Sequence, residues 1–346
     1  MTAPKPPPSC PPAPLPTLSV VMPNYNHGHY LEAALRAHLD QSAPPLEIIV
    51  VDNASTDESC AVIERLAADH RNLRLVRSGR NGGVAAAMNR GLREARGDCV
   101  CFSAADDLVA PEFAGQSLRL LARHPAAAFC FSDVAVLLGD SGNVRRLPLF
   151  LSGDARLFSP LEMGRVLQRH YFNFPSHSIL YRREALLEVG GFREDLQWVA
   201  DWFTNQVLAF RHGACYVPRV LTFFRVSPGS YSARGARQTE AQRDLVYRML
   251  DVLESDAFRD VARAFRDSAV VPELRPRVLL WLLASPRYRH YLTPRLLARL
   301  VFRGPWTVVR PYLPDGLQRA ARWIGCAPRR RRVGGQAPRG LRKGGG

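Results

Sequence analysis

The sequence predicts an α/β fold in which an open, mostly parallel sheet is flanked by helices and followed by a helical C-terminal region. Four apolar, largely β-branched runs begin at positions 18, 47, 73 and 99, a nearly regular spacing. Helical periodicity fills each gap between them. Past about residue 236 the strand signals stop, and apolar residues recur among Arg and Pro at helical spacing.

Taken in order, residues 1–16 hold eight prolines and a single Lys5, which predicts an extended, poorly ordered leader without the apolar stretch of a signal peptide. Strands are predicted at Leu18–Met22, Glu47–Val51, Leu73–Arg77 and Cys99–Ser103, and helices at Tyr30–Asp40, Asp57–His70 and Val84–Ala95. Ser55 followed by Glu58 reads as a capping box that starts the second helix. A fifth strand is expected at Ala128–Val136. The pattern then becomes mixed, with helices at Ser159–Arg169 and Asp201–His212 and a strand at Leu221–Val226. Five segments result. They are the leader (1–16), a first half (17–136), a second half (137–235), a helical region (236–325) and a basic Gly/Arg-rich tail (326–346) expected to be disordered.

Composition narrows the class. All but two of the 47 basic residues are arginine, and the formal net charge is +16. Seven of the basic residues lie in the tail, from Arg329 to Lys343. Such a body suits a phosphorylated substrate, an anionic membrane surface or a nucleic acid. The third is disfavoured, because the basic residues lack a stacking platform or a recognition motif. No apolar stretch approaches the roughly 20 residues of a spanning helix, so a cytoplasmic protein is expected. The seven cysteines at 10, 60, 99, 101, 130, 215 and 326 show no CxxC spacing and read as reduced thiols, mostly in the core.

In open α/β sheets ligands bind beyond the carboxyl ends of the strands. That directs attention to residues 23–26, 52–57, 79–83 and 104–108. Asp52 ends the second strand and could accept from a nucleobase N–H or a ribose hydroxyl, although Asp-Asn-Ala-Ser-Thr-Asp is also a good turn and helix cap. Asp106 and Asp107 follow the fourth strand directly. Adjacent carboxylates repel unless a cation or hydroxyls offset the charge, and a hard ion such as Mg²⁺ or Mn²⁺ bridging to a diphosphate would do so. Gly79-Arg-Asn-Gly-Gly83 opens the third helix. It matches neither a GxGxxG nor a GxxxxGK[ST] loop, which removes the main support for an oxidoreductase or an NTPase. Asp201, between Trp198 and Trp202, is an acid in aromatic company whose desolvation would favour it as a proton acceptor, or alternatively an N-cap.

Val20-Val-Met-Pro-Asn-Tyr-Asn26, Glu47-Ile-Ile-Val-Val-Asp-Asn-Ala-Ser-Thr-Asp57, Asn81-Gly-Gly-Val-Ala-Ala-Ala-Met-Asn-Arg-Gly91 and Ala104-Ala-Asp-Asp107 run in order. Together they resemble the nucleotide-sugar domain of family-2 glycosyltransferases with the GT-A fold. A weaker match continues through Gly190-Gly-Phe192, Ala200-Asp201 and Phe224-Arg225. The resemblance implies an inverting transferase that moves a sugar from a nucleotide-diphosphate donor to an acceptor hydroxyl, in surface polysaccharide or glycoconjugate synthesis. It implies donor contacts at Pro23, Asn24, Tyr25, Asp52, Asn53, Asn81, Gly82, Gly83, Asn89 and Asp106. It also implies a divalent cation, Mn²⁺ or Mg²⁺, at Asp107 with Asp106, and Asp201 as catalytic base. His177, Trp198, Trp202 and Arg225 are expected on the acceptor side. Several positions depart from the family pattern: Asn53, Ala104 and Ala200 stand where acids are common, and Ser227 or its neighbours where a His is usual. The missing acids at 104 and 200 keep a catalytically silent sugar-nucleotide binder as the alternative. The acceptor is expected to be a glycan or a lipid-linked hydroxyl. Peripheral contact of the helical region with an anionic membrane at its inner face is a further expectation.

Overall fold

The computed structural model describes residues 14–138, 143–169, 172–225, 239–273, 277–294, 296 and, as backbone only, 334–336. The predicted alternation is present. Strands β1 (Leu18–Asn24), β2 (Glu47–Asp52), β3 (Leu73–Arg77) and β4 (Cys99–Phe102) alternate with helices α1 (Gly28–Leu39), α2 (Ser59–Asp69) and α3 (Val84–Glu94). They lie side by side in the order β4-β1-β2-β3, all parallel. All six residues of β2 are buried, because helices cover both faces of a parallel sheet. Alternation sorts the side chains: Val20, Met22, Ile48 and Val50 enter one core, and Val21, Ile49 and Val51 the other. Helix α3 lies so close to β1 that a Cβ on Gly91 would sit 2.2 Å from Val21 Cγ1, so glycine is required there.

The second half extends the same sheet with antiparallel pairings. After β5 (Leu108–Val109) and α4 (Phe113–Arg123) come β6 (Phe129–Leu138), β7 (Asn143–Leu147), β8 (Arg156–Phe158), α5 (Pro160–Arg169), β9 (Leu180–Arg182), α6 (Arg183–Glu188), α7 (Ala200–His212) and β10 (Ala214–Arg225). Short β9 joins the two halves, pairing with β4 on one side and β6 on the other. Strand β6 continues across the expected division near 136, and β10 runs parallel to it. The predicted strand at Leu221–Val226 is the end of this longer β10.

The capping box expected at Ser55 and Glu58 is not what starts α2. Asp57 does that: its Oδ1 accepts from Ser59 N–H at 3.0 Å, while its Oδ2 accepts from Gly28 N–H at 2.9 Å. One carboxylate thus closes the N-termini of α1 and α2, and Ser55 is left to the strand-end loop. The helical region packs on α7. Phe265 of α9 (Arg259–Ser268), which follows α8 (Thr239–Glu254), contacts the rings of Trp202, Phe203 and Phe210. Two shorter helices follow, α10 (Val270–Glu273) and α11 (Val278–Ala284).

Of the tail expected to lack structure, Gly334–Gln336 forms a strand, β11, antiparallel to β7. The remainder of the tail, the leader up to residue 13, and Ser227 lie outside the described residues. Among the five described cysteines, Cys99, Cys101, Cys130 and Cys215 are buried thiols, as expected of core positions, while Cys60 is half-buried. No helix among the described residues is long and apolar enough to cross a membrane.

Candidate active site at the strand ends

The carboxyl ends of β1, β2, β4 and β10 gather the predicted residues at one edge of the sheet. Asn24 and Asp52 are register partners at the ends of β1 and β2. Asn24 Nδ2 donates to Asp52 Oδ1 at 2.8 Å. Asp52 also accepts from Ser55 N–H at 3.0 Å and Ser55 O–H at 2.6 Å, so much of its hydrogen-bonding capacity is spent on shaping its own loop. Ser55 is a site residue that the sequence reading used only as a cap. Its Oγ also accepts from Asn24 Nδ2 and Asn26 N–H, lacing the β1 and β2 loops together. Asn24 Oδ1 is buried without a protein partner, an unsatisfied acceptor that a ligand N–H or O–H would complete. Pro23 is half-buried and Tyr25 is 44% exposed, its ring free to meet a base.

Asn53 is buried, and its side-chain nitrogen donates to Asn81 Oδ1 at 3.2 Å and to Gly83 O at 3.0 Å. Asn81 Oδ1 accepts in turn from Gly83 N–H at 3.0 Å. These bonds hold the Gly-rich turn where α3 begins, with Gly83 at φ 88, a conformation that favours glycine, and Gly82 exposed beside it. Asn89 behaves differently from the donor contact expected of it. Its Nδ2 donates to Phe192 O at 2.7 Å and its Oδ1 accepts from Phe192 N–H at 2.9 Å. Both ends of the amide are therefore committed to joining α3 to the turn that precedes Asp201.

Asp106 and Asp107 sit between β4 and β5. Asp107 is buried, and Oδ1 accepts from Arg225 N–H at 3.0 Å. Burial, then the neighbouring Asp106, push its carboxyl up to about 8, against the opposing pull of the Arg225 N–H and guanidinium. Arg225 ends β10. Its Nε donates to Asp106 O at 3.2 Å, and its guanidinium lies 4.5 Å from the Tyr30 ring centroid, so one arginine joins β10, the Asp-Asp loop and α1. Among the described residues no three His, Cys, Asp or Glu side chains gather to hold a metal. The donor set of two adjacent carboxylates, one of them held protonated by burial and by its neighbour, fits a hard cation that would share its shell with a ligand's phosphates.

Asp201 lies in the first turn of α7, where the helix N-terminus favours an anion. Gln197, at φ 46, turns the chain into that helix. Asp201 Oδ1 accepts from Trp202 N–H at 2.7 Å. Burial raises its carboxyl above the ordinary range, while hydrogen bonds from the Ser176 hydroxyl and the Trp202 amide pull the other way. His177 packs against Phe224 with the rings tilted by 45° and their centroids 4.5 Å apart, and burial pushes its imidazole down to about 4, so it is neutral at pH 7. Trp198 is half-exposed. Trp202, expected on the acceptor side, is instead a core residue set edge-on to Phe265. Asp107 accepts from Arg225, and Phe224, next to Arg225 in the chain, packs against His177.

The signature of glycosyl transferase family 2 matches residues 19–190. TuaG of Bacillus subtilis, whose name refers to teichuronic acid biosynthesis, is 30% identical over 125 residues, 36% of this chain and 49% of TuaG. The chain thus aligns with about half of that relative's length. S. aureus TarS (residues 1–349), solved with UDP-GlcNAc, superposes with a TM-score of 0.60 at 18% identity, covering 86% of this chain and 80% of TarS. The mannosyltransferase PcManGT from Pyrobaculum calidifontis, solved with GDP-Man and Mn²⁺, gives 0.58 at 22% identity, covering 91% and 82%. At these identities the two structures show a shared fold.

Proposed function

The chain belongs to glycosyl transferase family 2, and from that premise we propose that it transfers a sugar from a nucleoside-diphosphate donor to an acceptor hydroxyl with inversion at the anomeric carbon. The observation that carries this is the pair of strand-end clusters, Asn24 with Asp52 and Asp107 with Arg225, each held by hydrogen bonds at the carboxyl edge of the sheet, with Asp201 in the first turn of α7.

Asp201 takes the acceptor's hydroxyl proton as that oxygen forms its bond to the anomeric carbon. The bond from that carbon to the diphosphate oxygen breaks on the opposite face, and the electron pair leaves with the nucleotide. Arg225, beside Asp107, is a fixed cation for the departing charge. Asp107 and Asp106 would hold a divalent cation together with the donor's phosphates, and when bound that ion supplies charge neutralisation on the diphosphate. Asn24, with its unsatisfied Oδ1, and exposed Tyr25 receive the nucleoside. Asn53, Asn81, Gly82 and Gly83 offer backbone and amide groups to the sugar or phosphates.

A nucleotide sugar and Mn²⁺ are features of similar folds, which supports this donor class. The name of TuaG supports a surface polysaccharide as product. A lipid-linked acceptor would bring the enzyme to the inner face of the membrane. Leu280 and Leu283 are 57% and 50% exposed, with exposed Arg287 and Arg289 nearby in sequence, which suits anionic lipid. Sedimentation with anionic and neutral vesicles tests this contact, and equal binding to both would refute it.

The decisive experiment is Asp201→Asn assayed for nucleoside-diphosphate release and sugar transfer across UDP- and GDP-sugars with Mn²⁺. A placed base contributes about 10² to 10⁴-fold, so turnover should fall by that order while donor-induced thermal stabilisation persists. Full transfer activity in the variant would remove Asp201 from the mechanism.

A further inference from the structure

Between β8, α5 and the loop that follows β7 lies an open cavity of about 290 Å³ that shares no residue with the strand-end site. Its wall takes Glu162, Arg165, Val166 and Arg169 from α5, positions three and four apart that fall on one face of the helix. The other face of α5, through Met163 and Leu167, is buried in the core. Arg156 and Phe158 of β8 and Leu151 of the loop complete the wall. Three guanidinium groups and one carboxylate make it cationic. Glu162 is already engaged: Oε1 pairs with Arg156, and Oε2 accepts from the Ser159 N–H and hydroxyl, both at 2.9 Å.

Two apolar side chains stand at the rim. Phe150, next to Leu151 in the chain, is 84% exposed, and Leu161, next to Glu162, is 65% exposed. Leu149 and Leu151, on either side of Phe150, pack against the core. The buried Asp133 carboxylate accepts from Leu149 N–H at 2.8 Å and from Tyr216 O–H at 2.7 Å. The loop is thus pinned around Phe150, which takes φ 56, a left-handed conformation that a bulky residue rarely adopts. Glycine or asparagine would sit there with less strain. A large ring held in water on an unfavourable backbone is costly on both counts, and such an outlier points to an occupant.

The two features together select the occupant. Guanidinium groups pair with phosphate oxygens, but a small soluble anion would gain nothing from Phe150 and Leu161. An amphiphile whose phosphate meets the cationic wall while its apolar part meets the rim gains from both. We propose that this face docks on the phosphate headgroups of an anionic phospholipid bilayer, with Phe150 and Leu161 entering the acyl boundary and Arg156, Arg165 and Arg169 meeting the phosphates. This contact uses none of the residues of the one at Leu280 and Leu283, and it does not depend on the transfer chemistry.

The test is sedimentation of the full-length protein with phosphatidylcholine vesicles, with and without phosphatidylglycerol. It is run in the wild type and in a Leu280→Asn, Leu283→Asn background that removes the helical-region contact. In both, binding should require phosphatidylglycerol. Phe150→Asn should weaken it about 10-fold, as expected for withdrawing one aromatic side chain from the acyl boundary. Its melting temperature should stay level or rise, because asparagine accepts the left-handed backbone. Arg165→Gln and Arg169→Gln should each weaken binding about 5-fold, the equivalent of about 1 kcal/mol per basic residue at an anionic surface. If Phe150→Asn lowers the melting temperature instead, these two variants on the exposed side of α5 decide. Undiminished binding by the Phe150 and arginine variants overturns the proposal, as does a Leu280→Asn, Leu283→Asn background that no longer binds. Displacement of the vesicles by inorganic phosphate at fixed ionic strength, with Phe150→Asn binding like the wild type, overturns it in favour of a soluble phosphate ligand. Full transfer activity in Asp201→Asn would remove the base assignment and leave this surface untouched.

Discussion

Asp107 shows how the site stores a charge conflict in a single residue. Its buried carboxyl holds a proton up to about 8, so in the metal-free protein the folded state binds a proton that the unfolded chain has already released. Stability is therefore greatest below the ordinary carboxyl range and declines as pH rises towards 8. Asp107→Asn mimics the protonated acid. It should match the wild type in melting temperature only below about pH 4, exceed it by a margin that grows from pH 5 to pH 8, and lose the stabilisation that Mn²⁺ gives the wild type, all readable in one thermal-shift series. Equal Mn²⁺ stabilisation in both proteins would exclude Asp107 as a ligand. The sequence singled out Asp107, Asp201 and Asn24 as candidates by type and position, because strand ends and adjacent acids are local signals. It did not single out Ser55 or Tyr30 as neighbours of those candidates. Tyr30 matters only because Arg225, distant in the chain, lies over it. Asn89 and Trp202 show the converse. A side chain's type says what it can bond to, and only the packing says that Phe192 and Phe265 have already claimed it.

At the scale of elements, two carboxylates anchor the ends of the parallel strands and helices. Asp57 closes α1 and α2 together, so Asp57→Ala should cost more than the roughly 1 kcal/mol of a single cap, measured by urea unfolding. At the opposite end of the sheet Glu47, 1% exposed, accepts from Ser19 O–H and Arg96 N–H, both at 2.8 Å. Burial would raise its carboxyl, but bonds from the Arg96 amide, Ser19 and the Arg96 guanidinium outweigh that and hold it below the usual range. A depressed carboxyl stabilises the fold above its unfolded value, and that contribution is lost as pH falls through the folded value. Glu47→Gln should lose about 1–3 kcal/mol at pH 7, with the gap to the wild type narrowing on acidification. A gap independent of pH would mean the loss is steric. The parallel strands were readable because β-branched runs buried on both faces stand out at any position. Strands β5, β8 and β9, of two or three residues, were not. Runs that short carry no period, and their pairing comes from β10, β4 and β6 rather than from themselves.

For the whole molecule, the two halves share one sheet, and the helical region seals the face of α7 through Phe265. A donor that binds the folded protein alone should therefore raise a single melting transition. At about 100 times its Kd the gain is roughly 2.7 kcal/mol, and a panel of UDP- and GDP-sugars with Mn²⁺ would rank base and sugar by that shift. Two separate transitions, with only one responding, would show that the halves melt independently. Overall architecture was legible because it follows from the order of strands and helices. How β6 and β10 pair with each other was not, since that register spans more than eighty residues of chain.

Asn89 has an implication for anyone wishing to retune this enzyme. Helix α3 is a rigid rod whose first residues border the Gly-rich turn and whose middle is clamped to Phe192, just ahead of the segment leading to Asp201. A redesign of residues 79–83 that tilts the rod would drag Asp201 with it, and on the proposed mechanism would sacrifice speed for a new preference. The loop at 52–57 is fastened to α1 by Asp57, to β1 by Ser55 and, through Asn53, to the same Gly-rich turn, so a redesign of that loop must leave Asn53 in place.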